Sequence, residues 1–312
     1  ASEESGSPDL PHYLSAYAHR IGQPSLVICL DSGCGNYEQL WSSTSLRGMV
    51  TGTVKVEVLT EGVHSGMAGG IVPSAMQVLR VVLNRLENPA TGEILPAALR
   101  VEIPEERLAQ ARKAAQVLGG SITGDFPWVG GVRPLADDLV QLLLNNTWRA
   151  SLAVTGQEGM PDVAHAGNVL LGCLACKFTL RTPPPAQPGA AAAAVKQALE
   201  ADPPFGAKIT VSCGGSPGWN APSLAPWLAQ ALDEASRRYY GREACYLGVG
   251  GSIPFMHMIG EKFPQAQFLI TGVLGPHSNA HGPNEFLHVP YAKKLTCCLA
   301  HVMASHTGQS GA

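Results

Sequence analysis

Three groups of acidic and imidazole side chains could bind a metal ion or move a proton. They are the adjacent pair Glu3 and Glu4, the isolated Asp31, and the histidines His277 and His281. Carboxylate oxygens and imidazole nitrogens are ordinary zinc ligands. Neighbouring carboxylates point in different directions, so one could bind a metal while the other takes a proton from a metal-bound water. A solvated pair without a chemical role is the alternative for Glu3 and Glu4.

Asp31 and the two histidines occupy positions that a fold could use to present them. Asp31 follows the apolar run Ser25–Leu30, which predicts a buried strand. Ligands and catalytic groups collect at the carboxyl ends of strands in α/β sheets, although an Asx turn would also explain Asp31. His277 and His281 lie in a Gly/Pro-rich loop, where core packing does not explain them. A loop histidine binds zinc well when its other ring nitrogen is held.

The hydrophobic pattern predicts an α/β protein with an inserted α+β module. Alternating apolar and polar residues over 47–59 predict a strand with one wet face, and an apolar face over Pro73–Leu86 predicts a helix. The α/β piece before this insertion is too short to form a core alone. We therefore expect residues 1–46 and 215–312 to form one domain and residues 47–214 to form an inserted domain.

Composition limits the classes of partner. Apolar residues make up 45% of the chain and charged residues 14%, which supports a packed core. The net charge of −3 does not suggest a nucleic-acid or polybasic membrane partner. No apolar run reaches the roughly 18–20 residues that a membrane span needs, and the first residues do not resemble a signal peptide. The sequence therefore predicts a cytoplasmic protein with no nucleic-acid or membrane partner.

The eight cysteines are expected to be free thiols, because several lie in apolar runs. Cys173 and Cys176 form a C-x-x-C within an apolar run that predicts a strand. Positions i and i+3 of a strand face opposite sides, so these two side chains could not share a metal. A redox function for this pair is disfavoured for the same reason.

Seven short motifs follow one another along the chain. They are Glu-Glu-Ser-Gly-Ser at 3–7, Asp31, Gly62–Gly66 with Gly69-Gly70, Asn168–Leu170, Leu180-Arg181 with Pro183-Pro184, Gly250–Pro254 and Ala280–Glu285. Together they resemble the dizinc peptidase family of carboxypeptidase G, succinyl-diaminopimelate desuccinylase, aminoacylase and carnosinase, and most of all its branch of cytosolic nonspecific dipeptidases. The resemblance implies part of a zinc-peptidase catalytic domain, a mixed sheet between helices, with an inserted α+β lid and dimerisation domain.

The resemblance implies roles for the metal-binding groups. Glu3 corresponds to the general base and Glu4 to a zinc ligand. Asp31 resembles the ligand of the other zinc, and His281 resembles the last ligand. His277 has no clear counterpart. The implied cofactors are two Zn²⁺ ions per subunit, with Mn²⁺ or Co²⁺ as possible replacements.

It also implies groups that handle the substrate. His64 corresponds to a lid histidine that reaches the partner subunit's active site and stabilises the oxyanion. Arg181, Asn168 and Ser252, with Gly251 beside it, resemble groups that hold the substrate's terminal carboxylate, a task that suits the planar guanidinium of arginine. A surface arginine, a glycine-rich helix entry at Ser252 and a histidine that caps the helix near Pro73 are the structural alternatives.

The implied function is hydrolysis of dipeptides or similar short amides by a metal-bound hydroxide, in a homodimer formed through the lid. An exposed sheet edge or the Pro73–Leu86 helix would form the dimer contact. An N-acyl-amino-acid deacylase on the same fold is the first alternative. The family's H-x-D segment and bridging aspartate precede the Glu pair in relatives and have no counterpart in this sequence. This difference favours a second alternative, a non-catalytic piece that folds and dimerises through the lid.

Overall fold

Eleven α-helices and eleven strands follow one another in this computed structural model, which describes residues 7–309. The strands are β1 Leu26–Cys29, β2 Trp41–Leu46, β3 Gly48–Glu57, β4 Val63–His64, β5 Ser151–Glu158, β6 Val169–Leu170, β7 Cys173–Thr182, β8 Lys208–Ser216, β9 Trp219–Asn220, β10 Cys245–Val249 and β11 Gln267–Ile270. The helices are α1 Leu10–Ala16, α2 Ala18–Ile21, α3 Ser65–Ala68, α4 Ala75–Leu83, α5 Glu105–Leu118, α6 Ser121–Gly124, α7 Leu139–Thr147, α8 Pro188–Glu200, α9 Pro226–Tyr240, α10 Pro254–Lys262 and α11 Val289–Gln309.

The chain divides into two units. Unit 1 consists of Ala1–Leu46, Ile103–Thr147 and Trp219–Ala312, and unit 2 consists of Arg47–Glu102 and Trp148–Gly218. The outer boundaries lie within a few residues of those expected from the sequence. The structure differs over residues 103–147, which the sequence assigned to the inserted domain and which belong to unit 1.

The packing of α5 explains why residues 103–147 belong to unit 1. Ala114 and Ala115 of α5 are buried in one cluster with Trp41 of β2 and Cys245 of β10. The buried Arg107 of α5 donates hydrogen bonds to Asn220 Oδ1 at 3.0 Å and to the carbonyl oxygen of Ala221 at 2.7 Å. Hydrophobic periodicity identifies a helix but does not identify the sheet that it covers.

Parallel strand pairs form the framework of unit 1. Strand β1 pairs in parallel with β11, and β2 pairs in parallel with β10 and antiparallel with β9. Two hydrogen bonds of 2.7 Å join these two sheets, one between the hydroxyls of Ser32 and Ser43 and one from Thr271 Oγ1 to the carbonyl oxygen of Trp41. Helices α9 and α11 pack together in a core that includes Leu228, Leu232 and Val302.

Unit 2 is built on an antiparallel four-stranded sheet in the order β5-β7-β3-β8. Its apolar face packs against α4 and α8, and the buried core includes Val54, Phe178, Val78, Leu79 and Val195. The strand expected over 47–59 and the helix expected over 73–86 are therefore confirmed as β3 and α4. Ser74 caps α4 by accepting a hydrogen bond from the amide of Gln77 at 3.0 Å.

The expected α/β class is confirmed, since both units combine helices with sheets. All eight cysteines are free, and the C-x-x-C of Cys173 and Cys176 lies on strand β7 as expected. Within residues 7–309, no helix is both long and apolar enough to cross a membrane.

Candidate active site

Asp31 and the histidine loop, residues 275–285, follow neighbouring strands of unit 1. Asp31 is exposed and comes two residues after the end of β1, while the histidine loop comes shortly after β11. Because β1 and β11 are parallel, their carboxyl ends meet at one edge of the sheet. This edge is where sites form in α/β sheets, so the structure brings the segments of two expected metal ligands together.

The two segments lie in direct backbone contact beyond the strand ends. The amide of Cys34 donates to the carbonyl oxygen of Leu274 at 2.7 Å, and Gly33 pairs with Leu274 in a parallel bridge. A Cβ on Gly272 would overlap the carbonyl oxygen of Ser32. Glycine is therefore required for this approach, which fixes the segment of Asp31 against the start of the histidine loop.

The histidine loop has an unusual backbone. Four of its non-glycine residues have φ angles in the left-handed region: His277 at 63°, Asn279 at 56°, His281 at 60° and Asn284 at 59°. Such conformations are costly for residues with a Cβ and cluster at functional sites. The Glu285 carboxylate accepts a hydrogen bond from the backbone amide of His281 at 3.3 Å. The loop therefore holds His281 in a specific backbone conformation.

Tyr37 fastens the histidine loop to the rest of unit 1. Its hydroxyl donates to the carbonyl oxygen of Pro276 at 3.0 Å, and its ring stacks on His288 with the centroids 4.1 Å apart. The Nδ1 atom of His288 accepts a hydrogen bond from the amide of Tyr291 in the first turn of α11. Tyr37 carried no signal in the sequence, because only the fold brings it to a loop more than two hundred residues away.

His277 faces a different partner. Its Nε2 atom lies 3.7 Å from Asp125 Oδ1, and both side chains belong to unit 1. This exposed pair gives His277 a partner outside the set of expected metal ligands.

Two of the expected metal ligands, Asp31 and His281, lie among the described residues. Asp31 and His281 have the donor chemistry that zinc prefers. Between residues 7 and 309, however, no cluster of three or more His, Cys, Asp or Glu side chains could hold a metal ion. The expected general base Glu3 and the expected ligand Glu4 lie outside the described residues.

The Gly250–Ser252 segment also follows a parallel strand of unit 1. It connects β10 to α10, and Gly251 and Ser252 are both half-buried. A Cβ on Gly250 would lie 2.8 Å from Asn146 Oδ1, so this turn packs closely against the end of α7. Ser252 stands two residues before the N-terminus of α10, where helix amides favour a negative charge.

His64 and Asn168 lie together in unit 2. Strand β4 pairs with β6 so that His64 is opposite Val169, and the carbonyl oxygen of Asn168 accepts the amide of Ser65 at 2.9 Å. The Nδ1 atom of the exposed His64 accepts the amide of Gly66 at 3.1 Å and caps the short helix α3. His64 therefore does cap a helix, but that helix is α3. The helix near Pro73, α4, is capped by Ser74 instead.

Arg181 is half-buried near the end of β7 in unit 2, and β7 belongs to a different sheet from the β4–β6 pair. Its neighbour Arg47 is buried and donates through Nη1 to the carbonyl oxygen of Arg149 at 3.2 Å and to Ser151 Oγ at 2.9 Å. Burial, and then the charge of Arg181, lowers the pKa of Arg47 to about 10. Arg47 carried no local signal, since an arginine at the start of a predicted strand is unremarkable.

Comparison with known proteins shows which family the chain belongs to. A family model described as a peptidase dimerisation domain, of the M20 type, matches residues 44–207. Cysteinylglycine-S-conjugate dipeptidase of Corynebacterium striatum is 30% identical over 267 residues, which cover 80% of this chain and 55% of that protein. Cys-Gly metallodipeptidase dug1 of Schizosaccharomyces pombe is 24% identical, with 97% of this chain and 64% of that protein covered. The solved structure of the di-peptidase Dug1p from Saccharomyces cerevisiae has a TM-score of 0.74 at 22% identity, with 97% and 64% covered.

The chain belongs to the M20 peptidase family, because the dimerisation-domain match covers more than half of its residues. The resemblance drawn from the seven motifs is therefore confirmed at the level of the family, and the Dug1p structure shows the same fold. The chain spans 55% and 64% of the length of the two relatives that it matches in sequence.

Proposed function

We propose that this chain contributes the active site of a zinc-dependent dipeptidase that hydrolyses dipeptides or similar short amides. The observation that carries the proposal is the parallel pairing of β1 with β11, which brings the Asp31 segment and the His281 loop to one sheet edge. The 30% identity to a cysteinylglycine-S-conjugate dipeptidase supports the same activity. The substrate class proposed is a short peptide with a free carboxylate.

The proposed site would hold two Zn²⁺ ions, with Mn²⁺ or Co²⁺ as substitutes. His281 and Glu4 would bind one ion, and Asp31 would bind the other. When bound, zinc supplies a nucleophilic water near neutral pH and polarises the scissile carbonyl. The Glu3 carboxylate would take the proton of the attacking water and pass it to the leaving amine nitrogen.

The hydrogen bond that His64 accepts is compatible with oxyanion stabilisation. Because its Nδ1 atom accepts the Gly66 amide, Nδ1 carries no proton, and the neutral ring carries its proton on Nε2. An Nε2–H group can donate a hydrogen bond to a developing oxyanion. Arg181, Asn168, Ser252 and Gly251 would bind the substrate's terminal carboxylate.

We further propose a homodimer formed through unit 2. The dimerisation-domain match to residues 44–207 supports it, as does the open edge of the four-stranded sheet at β5. Val154 on that strand is exposed, and an unpaired edge with apolar side chains can pair with a second copy. The eight free thiols favour a reducing, cytoplasmic location.

The direct test is hydrolysis of Cys-Gly and Ala-Ala by the purified chain with added zinc. Asp31→Ala and His281→Ala should each abolish turnover, whereas His277→Ala, at the neighbouring loop position, should keep most of it. Acetyl-alanine tests the deacylase alternative, since it carries an acyl group in place of the first residue. Turnover that is absent with every substrate, or unaffected by Asp31→Ala and His281→Ala, would contradict the proposal.

A mixing experiment tests whether His64 acts across the dimer. His64→Ala and Asp31→Ala are each inactive alone under the proposal. If His64 serves the partner's site, a mixed dimer concentrates both lesions in one site and leaves the other intact, so an equal mixture should recover about a quarter of the wild-type rate. If His64 serves its own subunit, mixing recovers nothing.

One observation favours the second candidate, a non-catalytic chain that folds and dimerises. The part of the chain between residues 7 and 309 contains no cluster of three potential ligands, and usual zinc sites take about three or four. We therefore expect zinc to bind more weakly than in a complete site. Isothermal titration that finds two tight sites per chain would contradict this expectation. Dimerisation without turnover or zinc uptake would favour the non-catalytic candidate.

A further inference from the structure

One end of the four-stranded sheet of unit 2 is rich in arginine. Arg181 on β7 is opposite Met49 of β3 and Ser151 of β5. Arg47 directly precedes β3, and Arg149 lies two residues before the start of β5. Since both neighbours are antiparallel to β7, their first residues lie beside the last residues of β7. The three arginines therefore come from chain segments at the same end of the sheet.

The side chain of Arg47 crosses this end of the sheet. It starts beside β3 and reaches Ser151 Oγ and the carbonyl oxygen of Arg149 at the start of β5, which is the strand on the other side of β7. Only 6% of Arg47 is exposed. Its guanidinium is therefore held in a fixed position at the end of the strand that carries Arg181.

Two neighbouring guanidinium groups repel each other, and burial of one of them strengthens the effect because water screens it less. A bound anion relieves this repulsion. A planar carboxylate matches the donor geometry of a guanidinium particularly well.

We propose that Arg47 is a positioning residue that strengthens anion binding by Arg181, through a fixed second positive charge at the end of β7. The natural ligand would be a carboxylate, and its assignment to the substrate's terminal carboxylate rests on the proposed function. The anion site itself is testable without hydrolysis.

The test measures binding of inorganic phosphate to the full chain. The thermal midpoint is followed as phosphate replaces chloride at constant ionic strength, and the apparent dissociation constant is taken from the rise. Arg181→Met and Arg47→Met should each weaken phosphate binding about tenfold, because the first removes a charged hydrogen-bond partner and the second removes the fixed positive charge beside it. Arg80→Met is the matched control, because Arg80 is an exposed arginine on α4 of the same unit, and it should bind as the wild type does.

Two further variants separate charge from hydrogen bonding, and they also serve if Arg47→Met fails to fold. Arg47→Lys keeps the charge and should bind phosphate within about threefold of the wild type. Arg47→Gln keeps a hydrogen-bond donor for Ser151 and Arg149 but loses the positive charge, and it should bind phosphate about tenfold more weakly. A merely structural role would make Lys and Gln equally damaging, and that result would overturn the inference.

Failure of the anion-site inference can be distinguished from failure of the proposed dipeptidase function. A wild type that phosphate does not stabilise, or an Arg47→Gln variant that binds as tightly as the wild type, would overturn the inference even if dipeptides are hydrolysed. If hydrolysis is found, Arg47→Gln should raise KM for Ala-Ala by about tenfold while it changes kcat little. It should leave KM unchanged for alanyl-alanine amide, a dipeptide whose terminal carboxylate is replaced by an amide.

Discussion

Replacement of Gly272 by alanine should break the contact that joins the Asp31 segment to the start of the histidine loop. A Cβ at this position would overlap the carbonyl oxygen and carbon of Ser32 and lie 2.8 Å from its amide nitrogen. These are backbone atoms, so no side-chain rotation can relieve the clash, and one of the two segments must move.

Overpacking of a close contact typically costs about 1–3 kcal/mol, and a clash with backbone belongs at the upper end, about 3 kcal/mol. For a unit of this size, each kcal/mol shifts the thermal midpoint by about 2–4 °C, so Gly272→Ala should melt roughly 6–12 °C below the wild type. Differential scanning calorimetry and urea unfolding both measure this change.

Gly130→Ala is the matched control in the same unit. Gly130 does not have a positive φ, and a Cβ there would meet no atom within 4 Å. Its free energy of unfolding should stay within about 0.5 kcal/mol of the wild type. If Gly272→Ala were as stable as Gly130→Ala, the close approach of Gly272 to Ser32 would be refuted, and with it the placement of Asp31 beside the histidine loop.

The remaining predictions concern buried polar groups and thiols of unit 1. Arg107→Met should lower the free energy of unfolding by about 2 kcal/mol, because it leaves the buried carbonyl oxygen of Ala221 without a donor, whereas the exposed Arg112→Met should change it little in the same urea titration. Burial raises the pKa of Cys34 and of Cys245 from 9.0 to about 11, so between pH 9 and 11 only the unfolded chain ionises these thiols. In urea unfolding from pH 8 to 11, the free energy of unfolding should therefore stay unchanged up to pH 9 and fall above it. Replacement of both thiols by alanine should make that fall smaller. Iodoacetamide at pH 8 should modify the exposed Cys297 before either of them, as peptide mass mapping would show, and early labelling of Cys34 would contradict its burial.

The sequence predicted the elements whose side chains alternate or repeat clearly. Strand β3 and helix α4 were predicted from apolar periodicity, because each buries one face and exposes the other. Strand β2 was missed. Its residues 42–45 are serine and threonine, which indicate a strand weakly, yet all four are buried. Hydrogen bonds such as Ser43 with Ser32 and Thr44 with Gln110 make that burial tolerable, and they depend on distant segments that no local pattern reveals.

The candidate site shows the same limit. A strand followed by an acid pointed to Asp31, and a loop that packing could not explain pointed to His281. Tyr37 and Arg47 carried no local signal, because their importance comes from contacts with Pro276 and Ser151 far along the chain. The boundary at residues 103–147 was missed for a related reason, since the amphipathic pattern of α5 does not say which sheet it covers.

The proposed metal centre is tested most directly by a crystal structure of the chain at saturating zinc, with anomalous difference maps collected at the zinc edge. We predict one peak about 2.0–2.2 Å from a carboxylate oxygen of Asp31 and another about 2.0–2.1 Å from a ring nitrogen of His281. Zinc bound elsewhere, with both of these side chains uncoordinated, would contradict the proposal that this sheet edge is the metal centre.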